Sequence, residues 1–320
     1  IITFDVIRRV TGHSFFMKYR YPAMLHTMPK NLVIFGGFVI GLILMVSIYG
    51  VLHARRVYVR QDPVVIEKSS SLPGLKIALI ADLHLGYNST KSHVRKIVDT
   101  INSQNVDLVC IAGDLFDNDY NAIKDPDEVA DILSGIKSRY GTYACWGNHD
   151  VSEKILAGFT FPQKETIVRD GRFTEFLHHA GITMLEDETV CIDNAFYLVG
   201  RRDKDMAKKE QLLRKTFSEI TEPLDPSLPI IVMDHQPGEL SEASDAGVDL
   251  DLSGHTHDGQ MFPANLVVHF LWENACGVLK KGSMTSIVTS GAGVWGPAMR
   301  VGTNNEVVIA NVSFDPATDQ

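Results

Sequence analysis

A chain of 320 residues, 45% hydrophobic and 22% charged, is too apolar to be intrinsically disordered and long enough for one large domain plus an accessory segment. A formal net charge of −9, with no long basic run, argues against a protein that tracks a nucleic-acid backbone. Four cysteines without a C-x-x-C spacing settle neither a disulfide framework nor a redox compartment; Cys110 and Cys145 sit in apolar runs, as small buried hydrophobes do.

In chain order, residues 1–31 mix Arg, Lys, aromatics and Pro and read as a juxtamembrane segment. Residues 32–52 carry no charge. At about 1.5 Å per residue such a helix crosses a hydrocarbon core of about 30 Å, so a transmembrane helix is expected there, with a buried core helix as the alternative. Gly37 and Gly41 make a G-x-x-x-G notch. Lys18, Arg20 and Lys30 on one flank balance Arg55, Arg56 and Arg60 on the other, so the positive-inside rule sets no orientation. Residues 53–71 read as a linker with short strands at 57–59 and 64–66, broken by Asp62-Pro63.

From residue 72 the texture becomes that of an α/β domain running to 320. Buried-strand runs are expected at 77–81, 108–112 and 141–146, and further strands at 230–233, 248–253, 283–290 and 306–312. Helical periodicity covers 90–103 and 171–180, the latter closed by Gly181, and Asp125-Pro126 reads as the cap and first turn of another helix. Strands alternating with helices and followed by a strand-rich tail predict layered α/β architecture with a mixed sheet.

A polar cluster follows each of five apolar strands: Asp82-Leu83-His84, Gly113-Asp114 with Asp117, Gly147-Asn148-His149-Asp150, Asp234-His235, and Gly254-His255-Thr256-His257. Ligands bind beyond the carboxyl ends of strands in open α/β sheets. Taken singly, Asp82 reads as a cap, His84 as a loop residue and Asn148 as a turn. Turn chemistry explains Gly, Asn and Asp but has no use for five histidines. A mixed oxygen and nitrogen set suits divalent transition metals better than calcium. Two cations about 3.5–4 Å apart need a bridging carboxylate, and such a pair polarises a phosphoryl oxygen and holds a hydroxide nucleophile. On an extended stretch His255 and His257 would point to one side and reach different ions, while Asp258 would point away.

These five blocks, in this order, resemble the calcineurin-like metallophosphoesterase family and its pattern D-x-H, G-D-x-x-D, G-N-H-[DE], H, G-H-x-H. The resemblance covers about residues 76–260 and implies a four-layer α/β/β/α sandwich of two mixed sheets, here preceded by the transmembrane helix. It implies that Asp82, His84 and His257 bind one metal, that Asn148, His235 and His255 bind the other, and that Asp114 bridges them. His149 would protonate the leaving oxygen, and Asp117 would pair with His149 and orient it. Two divalent ions are implied, Mn foremost, with Fe, Zn or Co as alternatives. Residues 81–86, 234–237, 254–260 and 290–297 are similar to the bacterial membrane-anchored branch, which includes UDP-diacylglucosamine hydrolases and cell-envelope phosphodiesterases; Asp258 departs from it, where Gly is frequent.

The expectation is therefore a phosphoesterase at the cell membrane. It would hydrolyse a phosphodiester, pyrophosphate or phosphomonoester of a small-molecule or lipid-linked substrate by a metal-bridging hydroxide with His149 as general acid. The resemblance favours an extracytoplasmic catalytic domain. A Ser/Thr protein phosphatase and a non-catalytic membrane scaffold are the rival readings. Residues 261–263 and 266–272 form an apolar stretch, either core or a wall for a lipid-bearing substrate. Trp295 and Arg300 are the candidate substrate contacts, with an ordinary surface arginine as the alternative for Arg300.

Overall fold

A computed structural model describes residues 30–153, 155–156, 159–160 and 169–315; the expected juxtamembrane segment 1–31 lies outside the described residues except for its last two positions. The chain divides into two units, one ending at Ile48 and one starting at Tyr49. The first helix, α1 (Lys30–His53), covers the uncharged run expected at 32–52. Its apolar side chains, Val33, Phe38, Ile43 and Ile48 among them, are exposed, which a core helix does not show. It is long and apolar enough to cross a bilayer.

In the second unit β1 (Tyr58–Ile66) and β2 (Leu75–Ile80) precede α2 (Lys91–Ser103), β3 (Leu108–Ala112), α3 (Pro126–Ser134) and β4 (Thr142–Cys145). The small pair β5 (Ile155–Leu156) and β6 (Phe159–Thr160) leads to α4 (Gly171–His179), β7 (Ile182–Met184), β8 (Glu188–Ile192) and β9 (Phe196–Gly200). Then come α5 (Lys204–Glu210), α6 (Phe217–Thr221), β10 (Ile230–Met233), α7 (Leu240–Asp245) and β11 (Leu250–Ser253). The last elements are α8 (Ala264–Leu271), β12 (Gly277–Lys281), β13 (Met284–Val288) and β14 (Glu306–Phe314).

Two mixed six-stranded sheets result, ordered β1-β14-β2-β3-β4-β7 and β12-β13-β11-β10-β9-β8. Alternation along β2 sends Ile77 and Leu79 inward, where they pack with Ile231, Met233, Leu250 and Leu252 of the other sheet. Ala78 and Ile80 face outward onto Val94 and Ile97 of α2, Val129 of α3 and Phe173 of α4. On the far side Ile230 and Val232 pack against Phe217 of α6 and Leu240 of α7. Three apolar seams between four layers give the expected α/β/β/α sandwich. Each buried Ile or Leu contributes about 1.5–3 kcal/mol, so the strand runs that read as buried are also the main source of stability.

The sequence expectations change in detail. Residues 53–71 do not hold two broken strands: β1 runs unbroken through Asp62-Pro63, paired along its length with β14. It lies at the sheet edge, where a proline removes no needed donor, and Asp62 pairs with Arg60 at 2.9 Å. Asp125 stands at the N-cap of α3 with Pro126 in the first turn, as expected, but its backbone is left-handed, its side chain makes no cap bond, and it takes Lys91 at 2.8 Å instead. The strands β7, β8 and β9 and the helices α5 to α7 had no strong signal, because three- to seven-residue elements are shorter than the window that periodicity needs.

Candidate metal centre

The parallel neighbours β2, β3 and β4 end side by side in one sheet, and β10 and β11 do so in the other. All five polar clusters lie just past those ends. The sheets meet tightly there. Gly113 has φ +80°, and a Cβ on it would lie 2.5 Å from His235 Nδ1. A Cβ on Gly254 would lie 2.4 Å from the Ala81 Cβ. Only glycine lets the two layers approach this closely. Asp82, His84, Asp114, His255 and His257 all adopt positive φ, between 44° and 71°. Non-glycine residues hold such conformations at a cost of about 1–3 kcal/mol each, typically where a site over-determines them.

Every residue expected to hold metal converges here. His84 Nε2 and His257 Nε2 are 3.0 Å apart, with Asp114 Oδ2 3.8 Å from the former and Asp82 Oδ1 3.8 Å from the latter. On the other side His235 Nε2 lies 3.1 Å from Asp114 Oδ2 and 3.1 Å from Asn148 Oδ1, and His255 Nδ1 lies 2.9 Å from the same Asn148 oxygen. Asp82-His84-His257 and Asp114-His235-His255 each bring their donor atoms within 4.8 Å of one another. Asp114 touches both groups.

The donor set fits cations on a further ground. His235 Nδ1 faces the Ala112 carbonyl at 2.8 Å, which can only accept, so Nδ1 carries the proton and Nε2 is a lone pair in the neutral ring. That lone pair faces two more acceptors, Asp114 Oδ2 and Asn148 Oδ1. Acceptors that converge in a buried space need a positive charge between them. Without metal the charge is a proton: burial opposes it, but Asp114 and Asp82 raise His235 well above the ordinary range. Burial would likewise raise Asp114, yet the His235 and His149 imidazoles hold it well below its usual value. Burial pushes Asp82 up to about 6 and lowers His255 to about 3. Metal binding would therefore displace protons.

The loop bearing His255 and His257 is not extended. His257–Gly259 form a short 3-10 turn, and left-handed residues on either side of Thr256 separate the two rings. His255 joins Asp114 and His235 while His257 joins Asp82 and His84, so the two histidines part as expected by a different backbone route. Asp258 pairs with His269 at 2.8 Å.

Asp117 and Arg300 differ from expectation. The hydrogen-bond partner of His149 is Asn118, not Asp117: Asn118 Oδ1 accepts from His149 Nδ1 at 2.5 Å. Asn118 Nδ2 donates to Val151 O at 3.3 Å and Glu153 Oε2 at 3.2 Å, which fixes the direction of the amide. Asp117 Oδ1 instead lies 3.5 Å from His84 Nδ1, where it can orient that ring. Arg300 is 0% exposed and out of reach of substrate. It donates to the carbonyls of His257, Ser290 and Gly293 at 3.0, 2.6 and 2.8 Å, and to the Asn305 side chain, so it holds the loop behind the site. Burial lowers its guanidinium to about 10. Trp295 does border the site, its ring centroid 6.2 Å from that of His149.

Three neighbours escaped the sequence reading. Asn118 follows Asp117 directly, and its amide was a signal overlooked. Trp272 packs edge-on to His255 at 5.4 Å and stood inside the apolar stretch already singled out. Lys209 Nζ donates to Asn148 O at 3.0 Å, but a lysine in the charged segment 204–210 reads only as a solvated helix face.

Comparison with known proteins agrees with this geometry. The family model for calcineurin-like phosphoesterases matches residues 75–259. A metallophosphoesterase of Helicobacter pylori strain J99 is 32% identical over 251 residues, covering 78% of this chain and 62% of the relative. A metallophosphoesterase of Campylobacter jejuni is 31% identical, covering 74% and 59%. A transmembrane protein with metallophosphoesterase domain from Danio rerio is 28% identical, covering 82% and 59%. The chain spans about 60% of the length of these relatives. With all five motif blocks inside the matched region and converging in space, the chain belongs to the calcineurin-like phosphoesterase family, hydrolases of phosphoric esters that use a binuclear metal centre.

Proposed function

We propose that this chain is a membrane-anchored phosphoesterase whose two divalent cations, Mn foremost, are held by Asp82, His84 and His257 on one side and Asn148, His235 and His255 on the other, with Asp114 shared. The observation that carries the reading is the convergence of these seven residues, acceptor against acceptor, from five strand ends. When bound, such a cation pair neutralises phosphoryl oxygens and makes water a competent nucleophile near neutral pH. The substrate class is a phosphodiester, pyrophosphate or phosphomonoester of an envelope or lipid-linked compound. A bilayer-length helix on the same chain and a relative named as transmembrane support that class.

The chain's own residues supply positioning and proton transfer. His149 is oriented at both ends: its backbone N–H donates to Asp114 Oδ1 at 2.8 Å, and its ring Nδ1–H donates to Asn118. That tautomer leaves Nε2 to exchange a proton. Burial lowers the ring to about 4, so the free site holds it neutral at pH 7. An anionic phosphoryl group beside it favours the imidazolium that protonates the leaving oxygen. Trp295 beside His149 and Trp272 beside His255 add apolar surface at the centre.

The test is turnover of bis-p-nitrophenyl phosphate and p-nitrophenyl phosphate by the full chain in detergent with manganese. Hydrolysis of the diester is expected. His149→Ala should lower kcat by roughly 10²–10⁴ with the metal content unchanged. Metal-loaded protein that turns over neither ester would sink the reading and return the scaffold alternative; monoester turnover alone would favour the protein phosphatase.

A further inference from the structure

The segment after the metal loop is a helix with no core to pack into. Among the side chains of α8 none is buried: Leu266 is 62% exposed, Phe270 90% and Leu271 69%, and Phe262 just before the helix is 62% exposed. Leu266 and Phe270 are four residues apart on α8 and share one face, and exposed Phe262 stands just before the helix. No Asp, Glu, Lys or Arg occurs from 261 to 272. A contiguous apolar face of this kind on a folded domain marks an interaction surface.

Position says what covers it. Met261 bridges to Val301, and the Phe262 N–H donates to Val301 O at 2.8 Å. The adjacent Arg300 N–H donates to Gly50 O at 3.0 Å, and a Cβ on Gly50 would lie 3.0 Å from Val301 Cγ2. Gly50 belongs to the last turn of α1, whose uncharged run ends at Leu52. The apolar face thus begins one backbone bridge from the point where the chain leaves its bilayer-length helix. Sheet topology agrees. β14 runs antiparallel to β2, so the start of β14, shortly after Val301 in the chain, lies at the same end of the sheet as the clusters past β2, β3 and β4. The helix is also tied to the chemistry: His269 pairs with Asp258, next to His257, and Trp272 at its end meets His255.

We propose that α8 is a second membrane contact: the lipid bilayer that α1 enters covers Phe262, Leu266, Phe270 and Leu271, as it does the apolar face of an interfacial helix. The consequence for substrate, which rests on the phosphoesterase reading, is that the metal loop faces phosphate groups held at the membrane surface.

The test uses the full chain with Cys191 and Cys276 replaced by serine, reconstituted in phosphatidylcholine vesicles. An environment-sensitive nitrobenzoxadiazole label is placed at Phe270→Cys. Asp193→Cys serves as the control, since the turn between β8 and β9 lies at the other end of the strands from the site. Vesicles containing doxyl-labelled lipid should quench the label at 270 at least two-fold, with a blue-shifted emission, and leave the label at 193 unchanged. Equal emission and equal quenching at the two positions would overturn the proposal. So would quenching at 270 that ignores the doxyl lipid and grows with the protein-to-lipid ratio, which would make a second copy of the chain the occupant. The readout involves no turnover, so it stands or falls apart from the hydrolytic reading.

Discussion

Asn118 shows how much one side chain decides at this site. Its amide oxygen holds the proton of His149 on Nδ1, while its amide nitrogen is held by Val151 O and Glu153. Asn118→Ala should therefore lower kcat by about ten- to hundred-fold while manganese content stays at its wild-type level. Asn118→Asp keeps an acceptor and should restore part of the loss. A pH–rate profile separates positioning from mere folding: loss of the acceptor should shift the His149 limb, whereas a folding defect scales the whole curve. An unchanged profile and kcat in Asn118→Ala would remove Asn118 from the mechanism.

At the scale of elements, the site is a set of strand ends held by what lies behind them. Arg300 is the clearest case. It lies fully buried, no carboxylate among the described residues is hydrogen-bonded to it, and it satisfies carbonyls from the metal loop and from residues 290–293 at once. Through Asn305, whose side chain donates to Ala54 O at 2.6 Å, the same network reaches the residue after α1. Arg300→Met removes the guanidinium donor from the buried carbonyls of Ser290 and Gly293, at about 1–3 kcal/mol each, and leaves His257 O with only the Gln260 N–H. The expected outcome is a melting temperature lower by many degrees, with weaker manganese binding because His257 loses its support. Arg300→Lys cannot span the same acceptors and should recover only part of the stability. A variant as stable as wild type would show that the network is dispensable.

For the whole molecule, acidity is built into the interior. Asp251 in β11, an interior strand of its sheet, is buried beside the serines Ser253 and Ser286, which donate to it. Burial, with Asp234 nearby, pushes its carboxyl up to about 7. The folded value stands above the unfolded one of about 3.9. The stability this group contributes is thus complete below about pH 4 and lost as pH rises through about 7. Asp251→Asn, a neutral mimic of the acid, should melt higher than wild type at pH 8, with the advantage shrinking toward pH 5 and gone by pH 4. Thermal melts in detergent across that range check it; a pH-independent difference would mean that Asp251 does not titrate there.

Much of this molecule is written in its sequence as local pattern. Apolar runs of four to six residues mark buried strands because a strand between two layers is covered on both faces. The clusters that follow them mark the site, because strand ends are where an α/β sheet leaves polar groups unpaired and convergent. That is why Asp82, His84, Asp114, Asn148, His235, His255 and His257 stand out together, as a set whose roles the family resemblance supplies, although each taken singly reads as a cap, a loop or a turn; α1 stands out by its uncharged length. Destination of a side chain is a different matter. Asp117 and Asn118 are adjacent in the chain, and only the backbone turn around them decides which one meets His149. Arg300 reads as a surface cation until Asn305 and three carbonyls close around it, and the apolar stretch at 266–272 reads as core until the sandwich proves complete without it. Periodicity reports whether a residue is fit for burial; which partner it meets, or whether any is left for it, depends on residues tens to hundreds of positions away that only the folded chain brings near.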